Sequence, residues 1–544
     1  MKKLFKGVDM SLFLPPAILT LIIAILAIAF PNQFNTVASA ALDFILTELG
    51  WFMGLVVILL FIVCMFAMCT KYGRIKLGGP DAKPIMKTPS WIFLSFTSAM
   101  AIGISFWGTA EPMMHFAQPA AMDGVEAYTI GAAQSSMLWS FHHWGFVFFA
   151  MYCGAGVLVA FAVHNMKLPF RCSSAIYPLV GDRIYGKTGK VFECIIILSI
   201  ICSIASSLGM GALQIASGLE YAFDIKSTVF VAVAVILIMG VLYTVVAMTP
   251  VSGGMKLVGN FNMGLYIFLM VFVFVFGPTR FLIENLIASF GAYLQNIPSL
   301  MTNWDPYEMD GFVEQWTAFF WPWWLSACPI TGLFLAQLAK GRTLRQFVMV
   351  NMVFPALFCI LWMSVFGGAG IFMDLFEGTA IGQAIVEFGK EAATYELMRA
   401  LPLPALTIII TLICAAISFN TKATSVSYTL ASSVMRREYG NQEPPKPVIG
   451  FWGAAIAILT AVLMLAGGQM SLNNTQTASV ICGLPVSALL ILMSVGFFKQ
   501  MFHCKKYDKV GTFDDPRYQS IVADQYDEPE PARIQAAADV QSST

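Results

Sequence analysis

Apolar segments long enough to cross a membrane recur along this whole chain. A helix needs about 20 apolar residues to span the roughly 30 Å hydrocarbon core of a bilayer. Hydrophobic residues make up 58% of the 544 residues and charged residues only 11%, against about 25% charged in soluble domains. The runs predict an all-α integral membrane protein with twelve transmembrane helices, near residues 12–30, 50–69, 90–113, 135–164, 191–218, 228–248, 258–278, 316–338, 346–373, 403–433, 449–467 and 478–499.

The basic residues fit twelve spans with both termini in the cytoplasm, because Lys and Arg concentrate in cytoplasmic loops. Of the 31 Lys and Arg residues, the outer loops would hold only Lys226, Arg280, Lys390 and Arg399. The first apolar run can span the membrane and lacks a signal-peptide cleavage site, so we interpret it as a retained helix. We expect a multi-pass protein of the cell inner (plasma) membrane.

Residues 1–500 are predicted to form one transmembrane domain, and the polar residues 501–544 a short, largely disordered cytoplasmic tail. An amphipathic segment near 281–298 is predicted to lie along the membrane surface. The formal net charge is zero, so nothing indicates nucleic acid as a partner. The eleven cysteines include no CxxC pair and are interpreted as reduced thiols in apolar packing.

The composition leaves other functional classes to weigh. An intramembrane enzyme would need a nucleophile–base pair or a metal set, and the five histidines show no such spacing. A sensor would need a signalling domain, for which the tail is too short. An ion channel stays open as an alternative, and conductance without countertransport would identify it.

Small residues run through the third span from Thr97 to Pro112. They favour either close helix packing or a broken helix whose backbone faces a substrate or ion. Glu111 is expected near the outer end, where its carboxylate can reach water.

The fourth span carries aromatic residues at four-residue steps. Trp144, Phe148 and Tyr152 therefore share one helix face, which predicts either one wall of an aromatic cage or an apolar helix seam. The neighbouring His142 and His143 point about 100° apart on a helix. No carboxylate is near them in sequence, which favours hydrogen bonding over metal ligation.

The eighth span holds four tryptophans within nine residues, at 316, 321, 323 and 324. Trp324 lies about 12 Å deeper than Trp316 at 1.5 Å per residue, so it approaches the bilayer midplane. An interfacial aromatic belt explains Trp316 but not Trp323 and Trp324. Indole faces bind cations that cannot donate hydrogen bonds, which favours a quaternary ammonium site. Pro322 and the later Pro329 predict backbone irregularity there.

Lys422 lies in the middle of the tenth span. A buried ammonium is costly and usually marks a transport pathway or a paired site. Snorkelling to the membrane surface is the other interpretation, although the reach from mid-span is poor. Lys422 and Ser425 are predicted to share a face.

Several segments together resemble the betaine/carnitine/choline transporter family over roughly residues 8 to 505. They read KYGRIKLG, PSWIFLSFTSAMAIGISFWGTAEP, FHHWG, SSLGMGALQI, NFNM, QWTAFFWPWW and KGRTLRQF. The resemblance implies a fold similar to that of sodium-coupled amino-acid transporters. Two extra helices would precede two inverted five-helix repeats, spans 3–7 and 8–12, each opening on an irregular helix, at Ala99–Gly103 and Trp321–Pro329. It also implies a homotrimer with the surface helix near 281–298 at the contact.

The resemblance also implies site residues and a function. The chain would be a secondary active transporter of quaternary ammonium or methylated amine compounds, of the betaine, carnitine or choline type, working by alternating access. Substrate-binding residues would be Trp144, Phe149, Tyr152, Trp321, Trp323, Trp324, Ala327 and Met100. A gate or second site on the cytoplasmic side would involve Phe106, Trp316 and Trp321. Phe149 and Ala327 replace aromatic residues usual in the family, which leaves the exact substrate open.

No cofactor is expected, and Na⁺ is the possible coupling ion. One sodium site of the relatives would correspond to the third-span backbone at Thr97 and Met100 with Thr424 and Ser425. A second would correspond to the fifth-span hydroxyls of Ser203, Ser206 and Ser207. Asn262 stands where sodium-independent exchangers place an arginine, which favours symport. Lys422 could instead put its ammonium in the place of the sodium, which favours a sodium-independent exchanger.

Overall fold

The computed structural model describes residues 5–99, 102–249, 254–307, 310–436, 443–468 and 471–507, without the side chains of 96–99, 102, 254–256, 471, 473 and 503–507. This part of the chain is almost entirely helical. Its only strand-like pairings are two isolated bridges, Val8 with Met435 and Lys76 with Thr343. The all-α class predicted from the apolar runs is therefore confirmed.

Eleven described helical segments are long and apolar enough to cross a membrane, and each overlaps one predicted span. Their long apolar runs favour helices because a helix satisfies every backbone hydrogen bond within its own segment. The segments are Met10–Ala29, Pro31–Cys69, Ile130–His164, Lys187–Phe223, Val229–Met248, Leu257–Phe276, Phe312–Leu338, Leu344–Glu377, Pro404–Ser433, Lys446–Gly467 and Asn474–Phe502.

The remaining predicted span, 90–113, is helical on both sides of residues 100 and 101, over Thr88–Ala99 and Ile102–Ala117. Residues 100 and 101 between them lie outside the described part, so a twelfth span stays a prediction.

Three helices carry most of the central side chains and are named here for them. The tryptophan helix is Thr317–Leu338, the serine helix is Lys187–Phe223 and the lysine helix is Pro404–Ser433. The tryptophan helix packs against Phe146–His164, against the serine helix and against Ser471–Tyr507. The lysine helix packs against the other side of the core, on the serine helix and on Val229–Met248.

The tryptophan helix is continuous through Pro322 and Pro329. The irregularity predicted over Trp321–Pro329 is therefore limited to the backbone hydrogen bonds that the two prolines cannot donate. The actual interruption comes earlier, at Trp316, which separates the short helix Phe312–Gln315 from the tryptophan helix.

Gly145 divides the fourth span into the helices Ile130–Trp144 and Phe146–His164. Its backbone leaves the helical region, with φ −94° and ψ −139°. A Cβ atom at this position would stand 2.4 Å from the carbonyl oxygen of Phe141 and 3.0 Å from the hydroxyl of Tyr293. Only glycine therefore fits the break, which sets the relative directions of the residues on its two sides.

The loops predicted to be cytoplasmic meet at one end of the molecule. The Asp9 N–H donates to the Val434 carbonyl at 2.8 Å, and Arg171 donates to the Met435 carbonyl at 2.9 Å. Asn165 Nδ2 donates to the Lys76 carbonyl at 3.0 Å, and the 76–77 segment pairs with residues 341–343. This grouping agrees with the alternation of the spans, while the side of the membrane stays a prediction.

Two peripheral segments complete the fold. A helix covers the predicted amphipathic segment and runs from Thr279 to Thr302. The last helix, Ser471–Tyr507, continues past the predicted domain boundary at residue 500. Residues 508–544 lie outside the described part.

Candidate functional site

A cavity lies in the core where five helical segments meet. Its volume is about 80 Å³, several times the roughly 10–15 Å³ that one buried water needs, so it can hold a small solute. Two segments, Ile130–His164 and the tryptophan helix, supply its aromatic residues. The serine and lysine helices supply most of its polar residues. The side chains used below are Trp144, Phe148, Tyr152, Trp324, Ala327, Ser203, Ser207 and Lys422.

Four aromatic rings form one wall of the cavity, called here the aromatic wall: Trp144, Phe148, Tyr152 and Trp324. The Trp324 ring centroid lies 5.0 Å from that of Trp144, with the rings at 77°, and 4.5 Å from that of Phe148. Phe148 and Tyr152 are 4.9 Å apart. The rings thus meet at steep angles around one space, which is the arrangement that presents several π-faces to one cation.

The other predicted box residues lie behind this wall. Trp323 stacks on Trp324, with centroids 4.3 Å apart and planes at 19°. Phe149 packs edge-on against Phe148 at 4.6 Å. Trp321 packs against the rings of His142 and His143, at 5.2 and 5.8 Å. None of Phe149, Trp321 and Trp323 lines the cavity, whereas Phe148 and Ala327 do.

Gly103 provides the close approach that the aromatic wall requires. It lines the cavity, and a Cβ atom there would stand 3.2 Å from the Trp144 ring and 3.9 Å from that of Trp324. Its missing side chain therefore leaves room for both indoles.

Glu111 is completely buried, which contradicts the expectation that its carboxylate reaches water. Its Oε1 lies 2.7 Å from His143 Nδ1 and 3.4 Å from His115 Nε2. Its Oε2 accepts a hydrogen bond of 2.5 Å from Trp144 Nε1. A carboxylate without water needs such donors to compensate for its lost hydration. Sequence reasoning missed this cluster because Glu111 lies 32 residues before His143.

The same three residues are also the candidate metal ligands of the described part. One ligand atom each from Glu111, His115 and His143 lies within 4.8 Å of the others. His143 uses its second ring nitrogen, Nε2, in a 3.0 Å contact with Thr317 Oγ1. The contacts of His143 agree with the hydrogen-bonding role expected for it. Neither ring nitrogen of His142 has a hydrogen-bond partner among the described residues.

The other cavity wall contains one charged residue, Lys422. Its Nζ donates to Ser207 Oγ at 3.0 Å, and Ser207 in turn donates to the carbonyl of Ser203 at 3.2 Å. No carboxylate of the described residues forms an ion pair with Lys422. The predicted mid-span lysine thus belongs to the same cavity as the aromatic wall and does not reach the surface by snorkelling.

The residues predicted to bind sodium are only partly brought together. Ser203 and Ser207 line the cavity, while Ser206 is buried without a hydrogen-bond partner among the described residues. Thr424 is buried but bonds at 3.4 Å to the Tyr243 carbonyl, and Ser425 is exposed and bonds to Thr421.

Two further predictions about ion coupling have separate outcomes. Asn262 lies apart from the cavity and donates to Ser418 Oγ at 2.8 Å. Met100 and the side chain of Thr97 lie outside the described residues. Lys422 and Ser425, which are predicted to share a face, differ in their surroundings, because the lysine lines the cavity and the serine is exposed.

Trp316 lies at the end of the tryptophan helix away from the loops that are predicted to be cytoplasmic. It begins the tryptophan helix, whose other end leads to residues 339–345 and the grouped loops beside the N-terminus. A gate on the cytoplasmic side at Trp316 is therefore incompatible with termini on that same side. The Trp316 ring centroid lies 4.2 Å from that of His115 and 6.0 Å from that of Trp107. Phe106 is buried, with its ring centroid 5.2 Å from that of Trp107.

The chain is similar to known transporters over nearly its whole length. The model of the betaine/carnitine/choline family transporters matches residues 11–506. A probable glycine betaine transporter of Desulfitobacterium hafniense is 33% identical over 500 residues, covering 91% of this chain and 98% of that relative. A glycine betaine transporter of Bacillus subtilis is 33% identical, covering 90% and 94%. An ectoine/hydroxyectoine transporter of Virgibacillus pantothenticus is 31% identical, covering 90% and 96%.

Proposed function

The chain belongs to the betaine/carnitine/choline family of transporters and is a multi-pass membrane transporter rather than an enzyme, and we propose that it holds the charge of its quaternary ammonium substrate on the aromatic wall. The observation that carries this proposal is the meeting of Trp144, Phe148, Tyr152 and Trp324 around one cavity. A trimethylated nitrogen has no N–H to donate, so π-faces suit it better than oxygen acceptors do.

The strength of these contacts suits a carrier. Each cation–π contact contributes about 0.5–2 kcal/mol, depending on how far the pair is removed from water. Four uncharged rings can thus select a cation without the strong ion pair that would slow its release. Glu111 supports the wall from behind by holding Trp144 Nε1.

We propose transport by alternating access between two inverted five-helix repeats, spans 3–7 and 8–12. The aromatic wall combines residues of spans 4 and 8. The opposite lining, with Ser203, Ser207 and Lys422, combines residues of spans 5 and 10. Each wall would therefore join one helix from each repeat, which is where carriers of this architecture place a midplane site. Rocking of one repeat against the other would expose the cavity to each side in turn.

Two modes of coupling differ at Lys422. Sodium symport is the expectation if a sodium ion binds beside the substrate. The contact of Lys422 Nζ with Ser207 Oγ favours the alternative, in which a fixed ammonium occupies the place of the ion and the protein runs as a sodium-independent exchanger or uniporter.

The proposed setting completes the function. The protein would have twelve spans with both termini in the cytoplasm, lie in the inner (plasma) membrane and form a homotrimer through Thr279–Thr302. Large apolar side chains on that helix, including Ile283 and Ile287, are exposed in the single chain, which supports a contact with lipid or with another copy.

Uptake into proteoliposomes tests the proposal. The purified protein would be reconstituted and supplied with labelled glycine betaine, carnitine or choline, with and without a sodium gradient and with and without internal unlabelled substrate. We expect saturable uptake of at least one of them, and a Trp324→Leu variant should transport poorly. If liposomes that contain the wild-type protein conduct ions but take up none of these compounds, the proposal is contradicted and a channel is favoured.

A further inference from the structure

Lys422 is the only charged residue that lines the cavity in the described part of the chain. Its side chain enters from the lysine helix and bonds to Ser207 on the neighbouring serine helix. Since no described carboxylate pairs with it, the positive charge of the cavity is uncompensated. An ammonium held in a membrane interior without an anion is unfavourable, so the cavity favours a ligand that brings a negative charge.

The cavity wall also has donors that the protein does not use. A lysine ammonium has three N–H groups, and Lys422 makes one hydrogen bond, to Ser207. Trp324 also lines the cavity, and its buried Nε1 has no hydrogen-bond partner among the described residues. Buried donors are normally satisfied. A carboxylate is an acceptor-only group that can take hydrogen bonds from several donors at once.

The two kinds of recognition come from different helices. The cation-binding rings belong to Ile130–His164 and the tryptophan helix, whereas the ammonium and its supporting hydroxyl belong to the lysine and serine helices. Ala327 also lines the cavity, and its small side chain occupies little of the available space. The cavity can thus bind groups of both charges, with π-faces for a cation and an ammonium for an anion.

We propose that Lys422 is a specificity-determining residue, which binds the carboxylate of a betaine whose quaternary ammonium lies on the aromatic wall. This inference rests on the proposed function and names the residue that selects among substrates in the same cavity. A purely cationic substrate such as choline would be repelled by Lys422, while a betaine has no net charge and pairs with it. The fixed ammonium would thereby neutralise the charge of the carboxylate, as a bound metal cation could.

The test compares ligands that share one cation and differ in their anion. Glycine betaine, its methyl ester and choline all carry a trimethylammonium group, but only glycine betaine carries a carboxylate. Their dissociation constants would be measured by isothermal titration on the full-length protein in detergent. We expect glycine betaine to bind at least tenfold more tightly than the ester and choline. Equal affinities for all three would overturn the inference without any variant being needed.

Variants at Lys422 locate the effect. Lys422→Met keeps the length of the side chain without its charge, so the affinity for glycine betaine should fall at least tenfold and the preference over choline should shrink. Lys422→Arg should retain the preference. Lys499→Met is the matched control, because Lys499 donates to the Pro178 carbonyl and does not line the cavity. A preference that survives Lys422→Met unchanged would overturn the inference.

Failure of the inference differs from failure of the proposed function. If choline is bound strongly and taken up, and if Lys422 variants change neither, the chain is still a quaternary ammonium transporter. Only the carboxylate site is then ruled out. Absence of binding by all three ligands, together with absent uptake, would instead contradict the proposed function itself.

Discussion

The carboxylate of Glu111 accepts a 2.5 Å hydrogen bond from the indole Nε1 of Trp144, although 33 residues separate the two in sequence. The other carboxylate oxygen lies 2.7 Å from His143 Nδ1. The bond fixes the plane of an indole that lines the central cavity. In the proposed site, substrate recognition would therefore depend on a buried acid that does not itself line that cavity.

Glu111→Gln should weaken glycine betaine binding by about tenfold, because an amide has one oxygen for two donors and turns its NH₂ toward either Trp144 or His143. Breaking a charged hydrogen bond costs about 1.5–3 kcal/mol, so the melting temperature should fall as well. Isothermal titration and scanning fluorimetry measure the two effects.

Glu193→Gln is the control for this substitution. Glu193 is also a buried glutamate, but it accepts a hydrogen bond from the Ser173 N–H and does not line the cavity. Its variant should keep wild-type affinity. An unchanged affinity of Glu111→Gln would show that Trp144 does not need this bond.

Phe148→Leu should reduce the affinity for glycine betaine more than Phe149→Leu does. Phe148 lines the cavity, so the change removes one cation–π partner of about 0.5–2 kcal/mol, or roughly 2- to 30-fold in affinity. Phe149 is buried behind it and should affect mainly stability. Binding titrations of the two matched variants decide the order, and the reverse order would place Phe149 in the site.

Trp324→Leu should weaken substrate binding more than Trp323→Leu does. The Trp324 ring lines the cavity, whereas Trp323 only stacks on it at 4.3 Å. Trp452→Leu, at a buried tryptophan that does not line the cavity, controls for general destabilisation. Saturation binding of labelled glycine betaine measures all three, and equal losses in all three would mean that packing rather than cation binding explains them.

Replacing external Na⁺ by K⁺ should change the initial rate of glycine betaine uptake by less than twofold. The physical reason is that Lys422 already places a fixed positive charge beside Ser207 in the cavity. Loading the liposomes with unlabelled substrate should accelerate uptake if the protein works as an exchanger. Strict dependence on sodium would instead support symport and a separate ion site.

Gly145→Ala should destabilise the protein by about 1–3 kcal/mol, as expected for overpacking. The added Cβ would stand 2.4 Å from the Phe141 carbonyl oxygen, so the backbone between the two helices must move. Gly264→Ala is the matched control, because it lies within a helix and its Cβ would meet no atom within 4 Å. Thermal melting of both variants in detergent measures the difference, and a lower melting temperature for Gly264→Ala than for Gly145→Ala would contradict it.

The relation between sequence and site is clearest at residues 144–152. Four-residue spacing alone placed Trp144, Phe148 and Tyr152 on one face, and all three line the cavity. The resemblance pointed to Phe149 instead, which the structure places behind Phe148. In a helix that is apolar on every side, composition does not indicate which face is functional, so neighbouring phenylalanines can be told apart only by what packs against them.

The apolar runs by themselves determined the helical class, the positions of eleven membrane-length segments and the presence of a lysine in mid-span, because bilayer thickness fixes the length of a spanning helix. Only the tertiary structure decided that Glu111 supports Trp144, that Trp316 lies at the end away from the N-terminus, and that Lys422 shares a cavity with Trp324. These relationships join residues far apart in the chain, and they depend on which helices pack together rather than on the pattern within any one of them.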